Sequence, residues 1–301
     1  MGARLLRWFD ALIAAVMLIG WLVRCTVRDA WPLLATIFYA LPWPVLAALG
    51  GWLCWRGRRL RLVWFGLSAA ALLVWLSASW KFAPTSATRA DLRVVQWNVA
   101  RPAGRLPAIA AQLRALDADV ITVAEAFPAH GATYELWRAE FPGYEVRFAK
   151  GDLLCLVRGN FVQQEGGWLG LGSFYSGFEV VVKGRPLSIL QVDLIATPWR
   201  SRREPLDRIA QLAVARADRP LIVLGDFNTP RDSEHLAPMR RCLANAWEVA
   251  GRGCAETWPM PFPVLSLDHV WIGGGLRALR CEHAVSVRSD HRAVIVDLAW
   301  P

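Results

Sequence analysis

The sequence predicts a two-part chain: an anchor of two or three transmembrane helices over residues 1–80, then a soluble α/β domain over residues 91–301. Three observations predict it. The 301 residues are 55% hydrophobic with a mean hydropathy of +0.29, too apolar for an ordinary soluble protein and too polar for one lying wholly in a bilayer. The apolar excess is at the front: nine of the 17 tryptophans (Trp8, Trp21, Trp31, Trp43, Trp52, Trp55, Trp64, Trp75 and Trp80) precede residue 81, and tryptophan is enriched at membrane–water interfaces. From Asp91 onward, short apolar runs alternate with helical periodicity, as in an α/β fold.

In the anchor, Leu62–Trp80 is a stretch of nineteen residues without a charge. At ~1.5 Å per residue it covers about one hydrocarbon core. Ala30–Trp55 is a second apolar run, interrupted by prolines. A third segment, Ala11–Val23, lies between Asp10 and Arg24. It spans only by drawing in Leu5, Leu6, Trp8 and Phe9, and otherwise lies in the interface. Helices are therefore expected at about 5–23, 30–55 and 62–80. A cleaved signal peptide is disfavoured, because no small-x-small site follows the first segment and two more apolar runs do. Arg24 before Cys25 argues against lipoprotein processing.

Orientation follows from the short loop RGRRLR, which carries Arg56, Arg58, Arg59 and Arg61. Positive charge in short loops stays cytoplasmic. The last helix is thus expected to run outward, making this a multi-pass protein of the inner (cytoplasmic) membrane with its soluble domain on the extracytoplasmic side. Residues 81–90, KFAPTSATRA, read as a linker.

In the domain, LRVVQWNV (92–99) and DVITVAEA (119–126) read as strands, with the helical pattern PAIAAQLRAL between them. FEVVV and LSILQVDL (178–194) are joined by the turn KGRP. An amphipathic helix near Arg203–Arg216 leads to PLIVLGDFN (220–228), and SDHRAVIVDL (289–298) closes the chain as a strand.

Polar side chains punctuate the ends of these strands: Asn98, Glu125, Asp226 with Asn228, Asp268 in LSLDHV, and Asp290 with His291. Loops at strand ends line the ligand crevice of an α/β sheet, so these groups are expected to converge. Carboxylates and amides with one histidine suit a hard cation, Mg²⁺ or Mn²⁺. Each motif alone has a plainer reading. GDFN is also an Asx-type turn, Glu125 a paired structural carboxylate, and SDH a loop-to-strand junction. Their order and spacing together point to chemistry.

Those five motifs, QWNVA, VAEA, GDFN, LDHV and SDH, resemble the endonuclease/exonuclease/phosphatase (DNase I-like) superfamily over residues 91–301, in the family's order. The resemblance implies a four-layered α/β sandwich and in-line, metal-dependent hydrolysis of a phosphoester. It implies that Glu125 holds the metal with Asn98 nearby, and that Asp290 tunes the metal site or binds a second ion. Asp226 would orient or deprotonate the attacking water, and Asn228 would hold a phosphoryl oxygen. His291, oriented by Asp268, would donate to the phosphoryl group or leaving oxygen. Asn98, Asn228 and Asp193 form the expected substrate-binding set.

One position departs from the family. Many relatives place a histidine before GDFN, where this chain reads VDLIATP with Asp193. An aspartate there stays protonated, serves a second cation, or pairs with an arginine such as Arg200; the second-cation reading is preferred because the site is rich in carboxylates.

Architecture bears on the substrate. Membrane spans followed by an outward domain resemble membrane-anchored bacterial members of the family, including a type implicated in processing polyprenyl lipid phosphates, so the expected partners are the lipid bilayer and a phosphoester, with a lipid phosphate as the favoured candidate. The stretch TWPMPFPVLSL (257–267) either dips into the interface or packs on the core. An extracytoplasmic nuclease is the alternative. Residues 1–80 hold eight arginines and two aspartates, a net +6 of the total +9, leaving +3 for the domain; nucleic-acid binding calls for a basic footprint on the soluble part. The run Arg200, Arg202, Arg203 and Arg208 is either an anion contact or a solvated helix face. A non-catalytic membrane scaffold is the third reading, and it sits poorly with so complete a motif set. Cys155, Cys242, Cys254 and Cys281 are expected to be buried free thiols, against a Cys242–Cys254 bridge.

Overall fold

The computed structural model describes residues 2–57, 59–82, 90–102, 105–126 and 131–301. Arg58 of the basic loop and residues 83–89 of the expected linker lie outside them. The chain divides into two compact units, Met1–Trp80 with Thr197–Ser201, and Lys81–Ala196 with Arg202–Pro301.

The first unit is helical: α1 (Gly2–Cys25), α2 (Pro32–Ala40), α3 (Trp43–Arg56) and α4 (Arg61–Ser79). α1 and α4 are each long and apolar enough to cross a membrane, and α2 with α3, bent by 64°, makes a third crossing if the pair acts as one span. The first segment is thus a single 24-residue helix. The run expected at 30–55 breaks at Leu41–Pro42, because proline has no N–H to donate and pushes its predecessor out of the helical region. Arg24 Nη1 satisfies the Phe38 carbonyl near the break at 2.9 Å, its guanidinium over the Phe38 ring. Gly50 packs on Met17 and Ser68, the small-residue contact that lets helices approach closely. Apolar side chains point outward, with Leu62 84% exposed, a distribution suited to lipid rather than water.

The second unit is a sandwich of two six-stranded sheets. The first holds β1 (Leu92–Asn98), β2 (Val120–Ala124), β3 (Glu145–Ala149), β4 (Leu153–Val157), β11 (Arg277–Ala284) and β12 (Ala293–Ala299), in the order β11-β12-β1-β2-β4-β3. The second holds β5 (Gly159–Gly170), β6 (Ser173–Val182), β7 (Arg185–Asp193), β8 (Leu221–Asp226), β9 (Ala244–Asn245) and β10 (Asp268–Gly273), in the order β9-β10-β8-β7-β6-β5. Val94, Val120, Phe178, Ile189, Ile222 and Val294 fill the space between the sheets. The outer face of the first sheet is covered by α5 (Leu106–Ala115) and α6 (Gly131–Glu140), through Ile109, Leu113 and Trp137. That of the second is covered by α7 (Arg203–Val214) and α8 (Ala237–Cys242), through Leu206, Ile209 and Met239. Helix, sheet, sheet, helix is the four-layered α/β sandwich that the sequence predicts.

Two βα crossovers set the site's position. β1 and β2 are parallel, as are β7 and β8, so all four strands end in the same direction within their pairs. β2 and β8 are buried throughout, and β1 and β7 except at Arg93, Arg185, Pro186 and Asp193, consistent with valine- and isoleucine-rich runs. The inner strands carry a few buried polar groups, among them Gln191, which donates across the sandwich to the Val123 carbonyl at 2.9 Å.

All six cysteines are free thiols. Cys155 and Cys281 are buried as expected, but Cys242 and Cys254 are half-buried, and no Cys242–Cys254 bridge forms. In the arginine run, Arg202 is buried and Arg208 pairs with Glu204 one turn earlier on α7, so these two do not form an open basic patch.

Candidate active site

Strand register brings the predicted residues to one edge. Asn98 ends β1 and Glu125 follows β2, its parallel neighbour. Asp193 ends β7 in register with Asp226 at the end of β8. β10 runs antiparallel to β8 and begins with Asp268 directly across from Asp226. β12 runs antiparallel to β1, with Val294 opposite Gln96, so the preceding Asp290 and His291 arrive at the same edge.

The backbone is strained at these corners. Glu125 has φ +51°, Asn228 +45°, and the consecutive Ala100 and Arg101 +49° and +50°. Non-glycine residues in the left-handed region cost about 1–3 kcal/mol each and persist where the surroundings over-determine them, often at functional sites. Gly225 in GDFN is required sterically: at φ +148°, an added Cβ would lie 1.9 Å from the Val192 carbonyl oxygen of the paired strand.

One half of the site is buried and centres on a His291–Asp268 hydrogen bond, with Asp226 close by. His291 Nδ1 lies 2.8 Å from Asp268 Oδ2, and Nε2 lies 3.9 Å from Asp226 Oδ2. The backbone N–H groups of Leu267 and Asp268 donate to Thr257 Oγ1, which holds this strand start in place. Ser289 Oγ donates to the Asn98 carbonyl at 2.7 Å and accepts from the His291 N–H at 3.0 Å, tying the histidine loop to β1. Trp97 Nε1 secures the His291 carbonyl at 3.0 Å. Burial alone would pull the imidazole down; Asp268 and Asp226 outweigh it and raise His291 to about 10. Burial, then Asp268, pushes the Asp226 carboxyl up, against His291 and the Asn98 and Asn228 hydrogen bonds. Ligand atoms of Asp226, Asp268 and His291 all lie within 4.8 Å of one another. With Nδ1 on Asp268, the imidazole leaves Nε2 facing Asp226, placed to donate a proton when it is charged.

The other half is more open. Asn98 Nδ2 bridges two carboxylates, at 3.2 Å from Glu125 Oε1 and 2.9 Å from Asp226 Oδ2, while its Oδ1 accepts from the Ala100 N–H. Glu125 Oε2 faces Arg101 Nη1 at 3.6 Å. Asn228 Nδ2 donates to the Leu194 carbonyl at 2.7 Å, keeping a second hydrogen, and its backbone N–H donates to Asp226 Oδ1. Burial, then Asp226 and Glu125, holds the Asp193 carboxyl well above the usual range, with Arg101 pulling the other way. Three carboxylates thus repel one another around one amide and one guanidinium. Oxygen donors of this kind suit a hard divalent cation; among the described residues, the group whose ligand atoms lie within 4.8 Å of one another is Asp226, Asp268 and His291.

Asp290 stands at the rim, exposed, with Oδ2 accepting from Trp258 Nε1 at 3.0 Å. In the loop 257–267, Leu265 and Leu267 pack in the core, as one of the two expectations has it, whereas Phe262 is 81% exposed. Sequence reasoning gave no site role to Thr257, Ser289 or Arg101. Ser289 lay inside the quoted SDH motif, where a hydroxyl two residues before the histidine is a turn signal; Arg101 sat three residues beyond Asn98. Thr257 and Trp258 lay in the quoted stretch 257–267, where nothing local showed their bonds to β10 and Asp290.

No curated protein sequence matches the chain. Among solved structures, an endonuclease/exonuclease/phosphatase family protein from Bacteroides thetaiotaomicron superposes with a TM-score of 0.59 at 18% identity, covering 69% of this chain and 94% of that one. A mannosyl-6-phosphatase from Bacteroides thetaiotaomicron VPI-5482 gives a TM-score of 0.59 at 16% identity, covering 70% and 100%. D. rerio TDP2 complexed with a single-strand DNA product gives 0.58 at 16%, covering 69% and 99%. At these identities the likeness establishes fold. Sequence carries the membership: a model of the family matches residues 95–291, from Val95 just before QWNVA through the histidine of SDH, and the chain belongs to the endonuclease/exonuclease/phosphatase family.

Proposed function

We propose that this chain is a divalent-metal-dependent phosphoesterase, anchored in the inner membrane with its active site outside the cytoplasm and acting on a lipid-linked or head-group phosphoester. The observation that carries the catalytic reading is the Asp268–His291–Asp226 chain at the end of paired strands, 2.8 Å and 3.9 Å between successive members.

Glu125 is the residue that would hold Mg²⁺ or Mn²⁺, with Asp290 and the remaining lone pair of the Asn98 amide oxygen as co-ligands. Such an ion polarises a phosphoryl oxygen and offsets the charge that builds up on it. Asp226 orients the attacking water and accepts its proton, a task suited to a carboxylate whose affinity for protons is raised by burial. Asn98 and the Asn228 N–H hold Asp226 by its two oxygens. His291, protonated at both nitrogens, donates from Nε2 to the leaving oxygen, while Asp268 fixes the ring through Nδ1. Asn228 offers its second amide hydrogen to a phosphoryl oxygen. Asp193, if drawn to a second cation, adds a carboxylate to the metal side.

The membrane reading rests on α1 and α4, on the arginine loop, and on the exposed Phe262 beside the catalytic rim. A tether confines the site to within about a linker's reach of the head groups and raises its effective concentration there. The test compares release of phosphate or phosphorylated head group from lipid micelles with nicking of plasmid DNA, each with Mg²⁺ and with EDTA. Lipid turnover without nicking supports this reading; nicking alone moves the protein to the nuclease class. An alkaline-phosphatase fusion after Ala90 should be active and a β-galactosidase fusion inactive; the reverse pattern places the site in the cytoplasm.

A further inference from the structure

We infer that Arg101 is a substrate-phosphate ligand held in reserve on Glu125, and released to the phosphoryl group when that carboxylate engages a divalent cation. The inference rests on the phosphoesterase reading above and adds a residue to it.

The root of this side chain is fixed and its head is free. Ala100 and Arg101 both sit at positive φ, a conformation two consecutive non-glycine residues adopt only when held. The hold is visible. The Ala100 N–H donates to Asn98 Oδ1, and the Arg101 N–H donates to the Glu125 carbonyl at 3.1 Å. Arg105 Nη2 donates to the Ala100 and Arg101 carbonyls at 2.9 and 3.3 Å, and its Nη1 reaches the Arg288 carbonyl. The backbone carrying Arg101 is thus bonded to the same two residues, Asn98 and Glu125, that form the open half of the site. The side chain itself stays 63% exposed and touches Glu125 Oε2 at 3.6 Å, a loose, monodentate contact. An exposed pair of that kind is weak and readily exchanged for a better partner.

Charge supplies that partner. A phosphate entering here meets Glu125, Asp226 and Asp193, and Arg101 is a cation whose field reaches both Glu125 and Asp193. While Glu125 neutralises it, the guanidinium offers little to an anion. With Glu125 engaged by a divalent cation, the fork is free to bind two phosphoryl oxygens side by side, the geometry at which arginine exceeds lysine. Metal and phosphate would then bind cooperatively, with Arg101 as the link.

Calorimetric titration of the full chain in detergent, first with MgCl₂ and then with inorganic phosphate, tests this without turnover. Arg101→Ala should bind Mg²⁺ about two- to fivefold more tightly, because a competitor for Glu125 is gone. It should bind phosphate at saturating Mg²⁺ about tenfold more weakly. Arg101→Lys should fall between, keeping the charge and losing the fork. In EDTA, wild type should bind phosphate no better than Arg101→Ala. An Arg101→Ala isotherm for Mg²⁺ that is unchanged or weaker, or an unchanged phosphate affinity, overturns the inference and leaves the phosphoesterase reading intact. Failure of the wild type to bind Mg²⁺, with Glu125→Ala indistinguishable from it, sinks the metal-dependent reading itself.

Discussion

The two halves of the candidate site differ in how finished they are. The proposed relay half, Asp226, Asp268 and His291, is buried and braced by Thr257, Ser289 and Trp97. The open half, Glu125 with Asn98, Asp193 and Arg101, is a crowd of carboxylates balanced by one amide and one half-engaged guanidinium. The first half is positioned by folding alone, through the His291–Asp268 hydrogen bond and its braces. The carboxylates of the second half take counter-charge from Arg101 and a hydrogen bond from Asn98, and a cation would complete it. The difference predicts that damage to one half is separable from damage to the other.

The largest effects test that separation. Asp226→Ala and His291→Ala should each lower hydrolysis by about 10²-fold or more while leaving the Mg²⁺ isotherm recognisable. Glu125→Ala should lose hydrolysis by a comparable factor and lose Mg²⁺ binding with it. Equal loss of metal affinity in all three variants would break the division into halves. Gly225→Ala, which places a Cβ 1.9 Å from Val192 O, should lower stability by about 2–4 kcal/mol, read as a fall in unfolding midpoint, because no flexible side chain is there to yield.

Next comes the pH profile. Asp226 must be ionised to accept a proton and its carboxyl is raised, so activity should climb with pH along a limb above the ordinary carboxylate range. His291 must be protonated to donate, and at about 10 it should set a falling limb near there. Asp268→Asn removes the charge that favours the imidazolium; it should cost about 10-fold or more in rate and move the falling limb to lower pH. A falling limb that stays put would remove Asp268 as the orienting group. The smallest expected effect is at Asp193: Asp193→Asn should shift the Mg²⁺ or Mn²⁺ activation curve to higher concentration if the carboxylate serves a cation. A normal curve with partial activity points to a protonated acid, since the amide still donates.

Much of this was legible in the sequence, for physical reasons. The central strands β1, β2, β7 and β8 are largely buried and read as mostly apolar runs, so their ends, and the polar residues placed there, could be located. The edge strand β5 could not: QQEGG in it is polar and mostly exposed, and its extension depends on pairing rather than on pattern. The helix expected across 30–55 failed at Pro42 because hydropathy counts apolar atoms and ignores a missing N–H. Within the site, ionisable groups announced themselves by type and position. The hydroxyls of Thr257 and Ser289 did not, since any loop carries such residues and only the fold shows what they bond.

Phosphoester hydrolysis by this buried relay is the claim on which the rest depends. Its most direct test is phosphate release from a soluble chromogenic phosphoester by the purified full chain, for wild type and Asp226→Ala, in Mg²⁺ and in EDTA. The account predicts turnover by wild type in Mg²⁺, loss of it in EDTA, and a rate lower by about 10²-fold or more in Asp226→Ala. Equal rates for wild type and Asp226→Ala in Mg²⁺ would contradict it.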